Sequence, residues 1–202
     1  MANDYCTTAE IKAAVPDASW GSSYDTVLGL VATRASRALD RYTHRHPGAY
    51  YVTADETRYF DGNGKRALWI DELAAAPTTV SVAEGGDLTD YTAWASTDYI
   101  LWPYNALLAG EPYIRIDVDQ LNGTKQDWSE YPKAVKIVGK FGYATTIPDD
   151  VKQVTIIQAA RWLKRAQQGF RDTGAVVELG QLHYVKALDP DLAALVDHLR
   201  RL

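Results

Sequence analysis

One cysteine, Cys6, one methionine and three phenylalanines are all that this chain of 202 residues holds of those types. A single cysteine excludes an internal disulfide and any cysteine-cluster metal site, and it suits assembly in a reducing cytoplasm. A basic excess is missing too: 21 Lys and Arg stand against 26 Asp and Glu, a net charge of -5 and a pI near 5.3. Domains whose main work is gripping phosphate backbones usually carry the opposite balance. No stretch approaches the roughly 18 apolar residues of a membrane span, and the opening MANDYCTTAEIK lacks the charged-then-apolar pattern of a signal peptide. The chain therefore reads as neither exported by a classical signal nor membrane-anchored. A phosphate-binding glycine loop, a nucleophile elbow and a zinc-protease motif are also lacking. The chain reads as a non-enzyme without a cofactor.

What is present suffices for a folded body. Hydrophobic residues make up 47% and charged residues 23%, near the average for globular proteins. A chain of this length buries about 70% of its unfolded surface without staples. The aromatic content is lopsided, 13 Tyr and 6 Trp, and falls mostly in the middle.

Periodicity divides the chain in three. Thr7 or Thr8 can cap a short helix through Ile11 and Val15, ahead of a break at Pro16 and Gly21. From Ser22 or Ser23 a long helix follows, with Val27, Leu28, Val31, Ala32, Ala35, Ala38, Leu39 and Tyr42 on one face. An end near Arg45, before Pro47 and Gly48, makes it roughly 33 Å long. Arg34, Arg37, Arg41 and Arg45 form a basic stripe beside the apolar one: a solvated flank, or a contact for an acidic neighbour or passing DNA.

Between about 48 and 147 the period shortens towards two. Strands are expected at 57–60, 67–70, 79–82, 113–118 and 134–138, punctuated by Asp61-Gly62-Asn63-Gly64, Gly85-Gly86 and Asn122-Gly123. The strands flanking 61–64 are expected to pair as a hairpin. After Pro148-Asp149-Asp150 a helix runs to about Gln168, with Ile156, Ala159, Ala160, Leu163, Ala166 and Phe170 as its main stripe. Val151, Val154, Ile157 and Trp162 spread apolar surface round most of its first half, which predicts burial on more than one side. Residues 171–188 are Gly-interrupted and extended in character. Asp189-Pro190 then opens a last helix, with Leu192, Leu195, Val196 and Leu199 on one side. The fold class expected is α+β: a helical bundle from 1–47 and 148–202, with an inserted antiparallel β-rich domain at 48–147.

Candidate chemistry is sparse. His44-Arg45-His46 places two histidines at i and i+2, which do not face each other on a helix end, and no third ligand is near in sequence. His183 and His198 are isolated. Asp117 and Asp119 share a strand face, with Asp87, Asp90, Asp98 and Asp127 scattered about, so a carboxylate pair or calcium site stays open without the spacing of a recognised loop. Trp69, Trp94, Trp102 and Trp128 admit a second reading, a carbohydrate-binding β module that stacks sugars on tryptophan.

Several phrases in order resemble the long form of the head-tail connector (adaptor) family of tailed bacteriophages. They are Tyr5-Cys6-Thr7-Thr8-Ala9-Glu10, Thr57-Arg58-Tyr59-Phe60-Asp61-Gly62, Ile100-Leu101-Trp102-Pro103-Tyr104-Asn105, Gly139-Lys140-Phe141-Gly142-Tyr143 with Pro148-Asp149-Asp150-Val151-Lys152, and Leu188-Asp189-Pro190-Asp191. The resemblance implies a structural virion subunit of the neck, part of a dodecameric ring under the portal protein. Such a ring extends the DNA channel without sequence-specific binding and docks a neck or tail completion protein. Candidate subunit-interface residues are Arg34, Arg37, Arg41, Arg45, Val151, Val154, Ile157 and Trp162. Candidate portal-binding residues are Leu192, Leu195, Val196 and Leu199, on a terminal arm whose removal, at 189–202, is expected to leave a folded protein.

Overall fold

Thr7 fixes where regular structure begins. Its hydroxyl accepts a hydrogen bond from Glu10 N at 3.3 Å, while the Glu10 carboxylate accepts one from Thr7 N at 2.8 Å. This reciprocal box satisfies two amides that a helix start otherwise leaves unpaired. The computed structural model describes residues 3–15, 21, 24–167 and 190–201. In chain order the elements are α1 (Thr8–Ala14), α2 (Asp25–Tyr42), β1 (Glu56–Phe60), β2 (Ala67–Leu73), β3 (Thr79–Val82), β4 (Thr92–Ala93), β5 (Tyr99–Trp102), α3 (Ala106–Ala109), β6 (Tyr113–Val118), β7 (Val135–Gly139), α4 (Asp149–Gln167) and α5 (Pro190–Val196), the last followed by a 3-10 turn at Asp197–Leu199. The class is α+β, as expected. Ser22 and Ser23, Pro16, Phe170, the stretch 171–188 and Asp189 lie outside the described residues.

The chain divides into two compact units, Met1–Gly48 with Ile147–Leu202, and Ala49–Thr146. In the first, α2 packs along α4, α1 packs on both, and α5 packs on α4. Leu28, Val31, Ala32 and Ala35 of α2 meet Ala159 and Leu163 of α4 and Ile11 of α1 in one apolar cluster. Leu28, Val31, Ala32 and Ala35 of the expected apolar stripe make this core, whereas Val27, at its start, is exposed. The helix stops earlier than Arg45. Thr43 is its C-cap, and His44 takes a left-handed φ of 57°. The Arg45 amide then reaches back to Asp40 O at 2.9 Å and the His44 amide to Arg41 O at 3.4 Å. That pair of bonds is a Schellman closure, and it shortens α2 to 18 residues, about 27 Å.

In the second unit β1-β7-β3-β4 form one antiparallel sheet and β2-β6-β5 another. Val80, Val82, Val135 and Ile137 of the first sheet share a single core with Leu68, Ile70, Ile116 and Val118 of the second. Alternate residues therefore point outward from each sheet. The strands flanking 61–64 do not pair: β1 lies in one sheet and β2 in the other. The turn chemistry itself is present, since Asn63 Oδ1 accepts from Lys65 N at 3.0 Å and Gly64 has a φ of 61°. What redirects the chain is the distant segment 129–133. Gly62 N donates to Tyr131 O at 3.0 Å, Gly64 N to Ser129 O at 3.4 Å, and Asp61 Oδ1 accepts from Lys133 N at 2.7 Å. The turn is thus stitched to 129–133 and becomes a corner between sheets.

This corner needs glycine for space. A Cβ at Gly62 would stand 1.8 Å from Ser129 O. Gly62→Ala should cost about 1–3 kcal/mol by overpacking, read as a lowered midpoint in thermal unfolding. An unchanged midpoint would mean that the corner is free to open.

The chain enters and leaves the unit side by side. Tyr143 N donates to Ala49 O at 2.7 Å and Val52 N to Ala144 O at 3.0 Å. The Tyr50 and Tyr143 rings meet at 5.4 Å.

Candidate assembly surfaces

Cys6 is buried, and that burial, reinforced by the Glu10 and Asp4 carboxylates, pushes its thiol up to about 12, so little reactive thiolate forms. His44 Nε2 lies 3.3 Å from the Arg200 guanidinium, a neighbour that opposes a bound cation. Asp98 and Asp119, both buried, act as loop clamps. Asp98 accepts from Thr124 N at 2.7 Å and Ala95 N at 2.9 Å, and Asp119 from Leu121 N at 3.0 Å and Asn122 N at 3.1 Å. Hydrogen bonds to the charged carboxylates lower the pKa of both, led at Asp98 by Thr124 N and at Asp119 by the Asn122 side chain, whose Nδ2 donates to Oδ2 at 2.8 Å. Asp117 pairs with Arg115 at 2.8 Å. Among the described residues no group of three or more His, Cys, Asp or Glu is placed to hold a metal ion, and no helix is long and apolar enough to cross a membrane.

The four tryptophans of the β unit split into two pairs. Trp94 and Trp128 stack at 4.5 Å and 11°, but both are buried. Trp128 Nε1 donates to Arg66 O at 3.0 Å, which satisfies the polar edge of a core ring. Trp69 and Trp102 sit on the outer face of the β2-β6-β5 sheet, meeting edge-on at 74° with the Arg115 guanidinium over both rings. Neither pair offers an exposed parallel platform for a sugar.

The arginine stripe separates by partner. Arg34 and Arg41 are exposed. Arg37 turns inward: its Nε lies 3.1 Å from Asp40 Oδ2, its Nη2 donates to Asn3 O at 2.8 Å, and its guanidinium covers the Tyr5 ring at 5.5 Å. Arg45 lies past the end of α2 and donates through Nε at 3.2 Å and Nη2 at 2.9 Å to Leu199 O. Two of the four arginines are therefore spent inside their own unit.

The α4 candidates separate likewise. Val151 and Val154 are buried within the chain, so burial of α4 on several sides is met by α1, α2 and α5. Ile157 is half-buried. Trp162 is also half-buried and, with Val31, Arg34 and Arg165, lines a groove of about 320 Å³ between α2 and α4. Beside it, α2 exposes Tyr24, Val27 and Leu30, the last at 56%. Tyr24 and Leu30 were not among the predicted site residues. Their signal was apolar residues lying off the main stripe, more than one packing partner could cover. An aromatic and aliphatic centre with arginine at its edge is the composition of protein interfaces.

At the end of the chain, Leu192, Val196 and Leu199 are buried, whereas Leu195 is 43% exposed. Arg201 N donates to Thr43 O at 3.0 Å and Tyr42 Oη to Asp197 Oδ1 at 3.2 Å. The terminal helix therefore belongs to the core of its unit, and the expectation that 189–202 could be removed without loss of the fold is corrected.

No family model and no curated protein matches the chain. Seven chains of solved structures match it, among them three from gene transfer agent particles. The neck of an empty gene transfer agent particle computed with C6 symmetry matches with a TM-score of 0.58 and 14% identity, covering 100% of this chain and 96% of that one. The neck of a native particle computed with C12 symmetry matches at 0.52 and 14%, with the same coverage. A chain from the virion of a native particle matches at 0.54 and 16%, over 96% of this chain and 89% of that one. This chain thus has the fold of neck proteins from a phage-like particle, over both of its units.

Proposed function

We propose that the chain is a structural neck subunit of a tailed phage or phage-like particle, located in the virion at the head-tail junction, that works without catalysis. Copies form a ring, dodecameric in the assembled neck, which docks beneath the portal protein, extends the DNA channel and receives a neck or tail completion protein. The observation that carries this reading is the shared fold with neck chains along the full length, helical unit and β unit together. The C12 and C6 symmetries belong to those particles and supply the expected ring order. The acidic balance of the chain favours a channel through which DNA slides without sticking.

A closed ring of identical copies needs two different surfaces on each. In the helical unit the groove of Val31, Arg34, Trp162 and Arg165, with the exposed stripe of α2, supplies one of them. Ile157 and Arg41 remain candidates, whereas Val151, Val154, Arg37 and Arg45 act through the fold of the subunit. Leu195 is the portal-facing candidate on α5, presented by the buried Leu192, Val196 and Leu199.

Arg34→Glu tests the groove. The side chain is exposed, so the variant should keep its stability within about 0.5 kcal/mol while association, measured by sedimentation velocity across a concentration series, weakens at least tenfold. Unchanged association would remove the groove from the ring contact. A chain that stays monomeric at every concentration and never joins portal-bearing heads would remove the ring itself.

A further inference from the structure

Three of the four sheet edges in the β unit are protected against a further strand. β1 carries Glu56 and Arg58, β2 carries Asp71, Glu72 and a register shift between Trp69 and Leu73, and β4 is only two residues long. Charge, bulges and shortness are the means by which sheets discourage pairing at an edge. β5 has neither charge nor bulge: Tyr99, Ile100, Leu101 and Trp102 run in unbroken register with β6. That register also fixes which backbone groups are open. Asp119 N donates to Asp98 O at 2.9 Å, and in the antiparallel ladder that continues from this pair Ile100 and Trp102 bond β6. The N–H and C=O of Tyr99 and Leu101 therefore point away from β6, and no other strand among the described residues pairs with them. A recess of about 400 Å³ lies beside this edge, lined by Tyr99, Ile100 and Leu101 with Pro77, Tyr104 and Tyr113, and none of its lining residues is charged. Consecutive strand residues point to opposite faces, so a recess touching three in a row follows the edge. Tyr104 is 66% exposed, and Leu107 and Leu108 of α3 are exposed after it.

We propose that the β5 edge takes a strand from a different neck or tail protein, an extended, uncharged segment that bonds Tyr99 and Leu101 through its backbone and lays apolar side chains in the recess. This rests on the neck reading above and names the chemistry of the component that the ring receives. Two open N–H and two open C=O groups fit an extended backbone, the mode in which main-chain bonds give affinity and pockets beside the edge give specificity. The uncharged lining fits an uncharged segment, because a charge brought there finds no partner. A second copy fits worse. Its β1 and β2 edges would carry Glu56, Arg58, Asp71 or Glu72 to the recess, and antiparallel pairing of β5 on β5 is a two-fold contact that ends at a dimer. DNA fits worst, since a phosphate backbone meets no cation in the lining.

Amide hydrogen exchange of the full chain, followed residue by residue by NMR, tests the edge and its occupant. In the free chain the Tyr99 and Leu101 amides should exchange at least tenfold faster than those of Ile100 and Trp102. Equal protection would mean that the edge is already covered, and would overturn the proposal. The probe is an uncharged peptide of alternating valine and threonine, about six residues long, the usual length of a strand. At millimolar concentration it should slow the Tyr99 and Leu101 amides at least threefold, and a version with lysine at every valine should not. Indifference to the first peptide, or equal slowing by both, would overturn the proposal. Ile100→Lys places a charge at the edge and should abolish the peptide effect in a chain that circular dichroism shows to be folded; Tyr104→Lys replaces it if it is not. A peptide effect that survives in the folded variant would contradict the assignment. Slowing that grows with the concentration of the chain alone would assign the edge to a second copy instead. A chain that takes the peptide but never forms a ring would remove the ring reading and leave the strand-binding edge standing, whereas a ring without the peptide effect would do the reverse.

Discussion

Asp40→Ala should cost the folded chain about 3–5 kcal/mol, the range for removing one member of a buried charged cluster. Asp40 is 1% exposed and holds three groups at once. Its carboxylate accepts from the Tyr5 hydroxyl, accepts from Gly48 N at 3.2 Å, and pairs with Arg37 at 3.1 Å. Alanine would leave the Arg37 charge, the buried Tyr5 hydroxyl and the Gly48 amide without their acceptor. Tyr5 also docks through its own amide, which donates to Ser36 Oγ at 3.0 Å, so the residues ahead of α1 would lose their anchor on α2. Urea unfolding followed by circular dichroism measures the loss. A change under about 1 kcal/mol would mean that water replaces the lost acceptor.

The same residue gives a pH dependence. Burial raises the Asp40 carboxyl above its ordinary 3.8, against the opposing pull of Tyr5, Arg37 and Gly48. The native chain then keeps this proton to a higher pH than the unfolded chain. Its contribution to stability is fully present below 3.8, falls as pH rises through the raised value, and is flat above it. The difference between parent and Asp40→Ala should therefore widen as pH is lowered through that window.

Phe141→Ala should cost about 3–5 kcal/mol, the range for emptying a buried aromatic site. Phe141 is fully buried, meets Phe60 at 6.0 Å, bridges to Leu73 and carries the Arg58 guanidinium 4.5 Å over its ring. It sits where the end of β2 joins the end of β7, since Ala74 N donates to Lys140 O at 2.8 Å and Gly142 N to Glu72 O at 2.9 Å. The loss should appear in the fluorescence of the β unit, which contains Trp69, Trp94, Trp102 and Trp128. The helical signal should shift less, because Phe141 lies in the core of the β unit. Equal shifts in both signals would show that the two units unfold as one.

What could be read from the sequence was local. Thr7 is one of the two caps expected for the first helix, and the three-and-four recurrence of α2 named Leu28, Val31, Ala32 and Ala35, which meet α4, together with Val27, which stays exposed. The strands at 79–82 and 113–118 carried their alternation openly, and each was expected over the span it occupies. The hairpin at 61–64 failed because turn residues report a bend, not the partner of the next strand. That partner was chosen by Ser129 and Tyr131, nearly seventy residues away. The arginine stripe was divided by partners outside it. Spacing placed four cations in a row, but Asn3, Asp40 and Leu199 decided which of them stay free for a neighbour. For α4, an all-round apolar surface announced burial on several sides, yet periodicity does not distinguish a helix of the same chain from one of the next subunit.

Electron microscopy of the neck from assembled particles carrying this chain tests the central claim most directly. The account predicts a closed ring of this fold directly beneath the portal, around a continuous channel, with the α2-α4 groove at the boundary between copies. A particle whose neck lacks this fold, or holds it as isolated copies away from the channel, would contradict it.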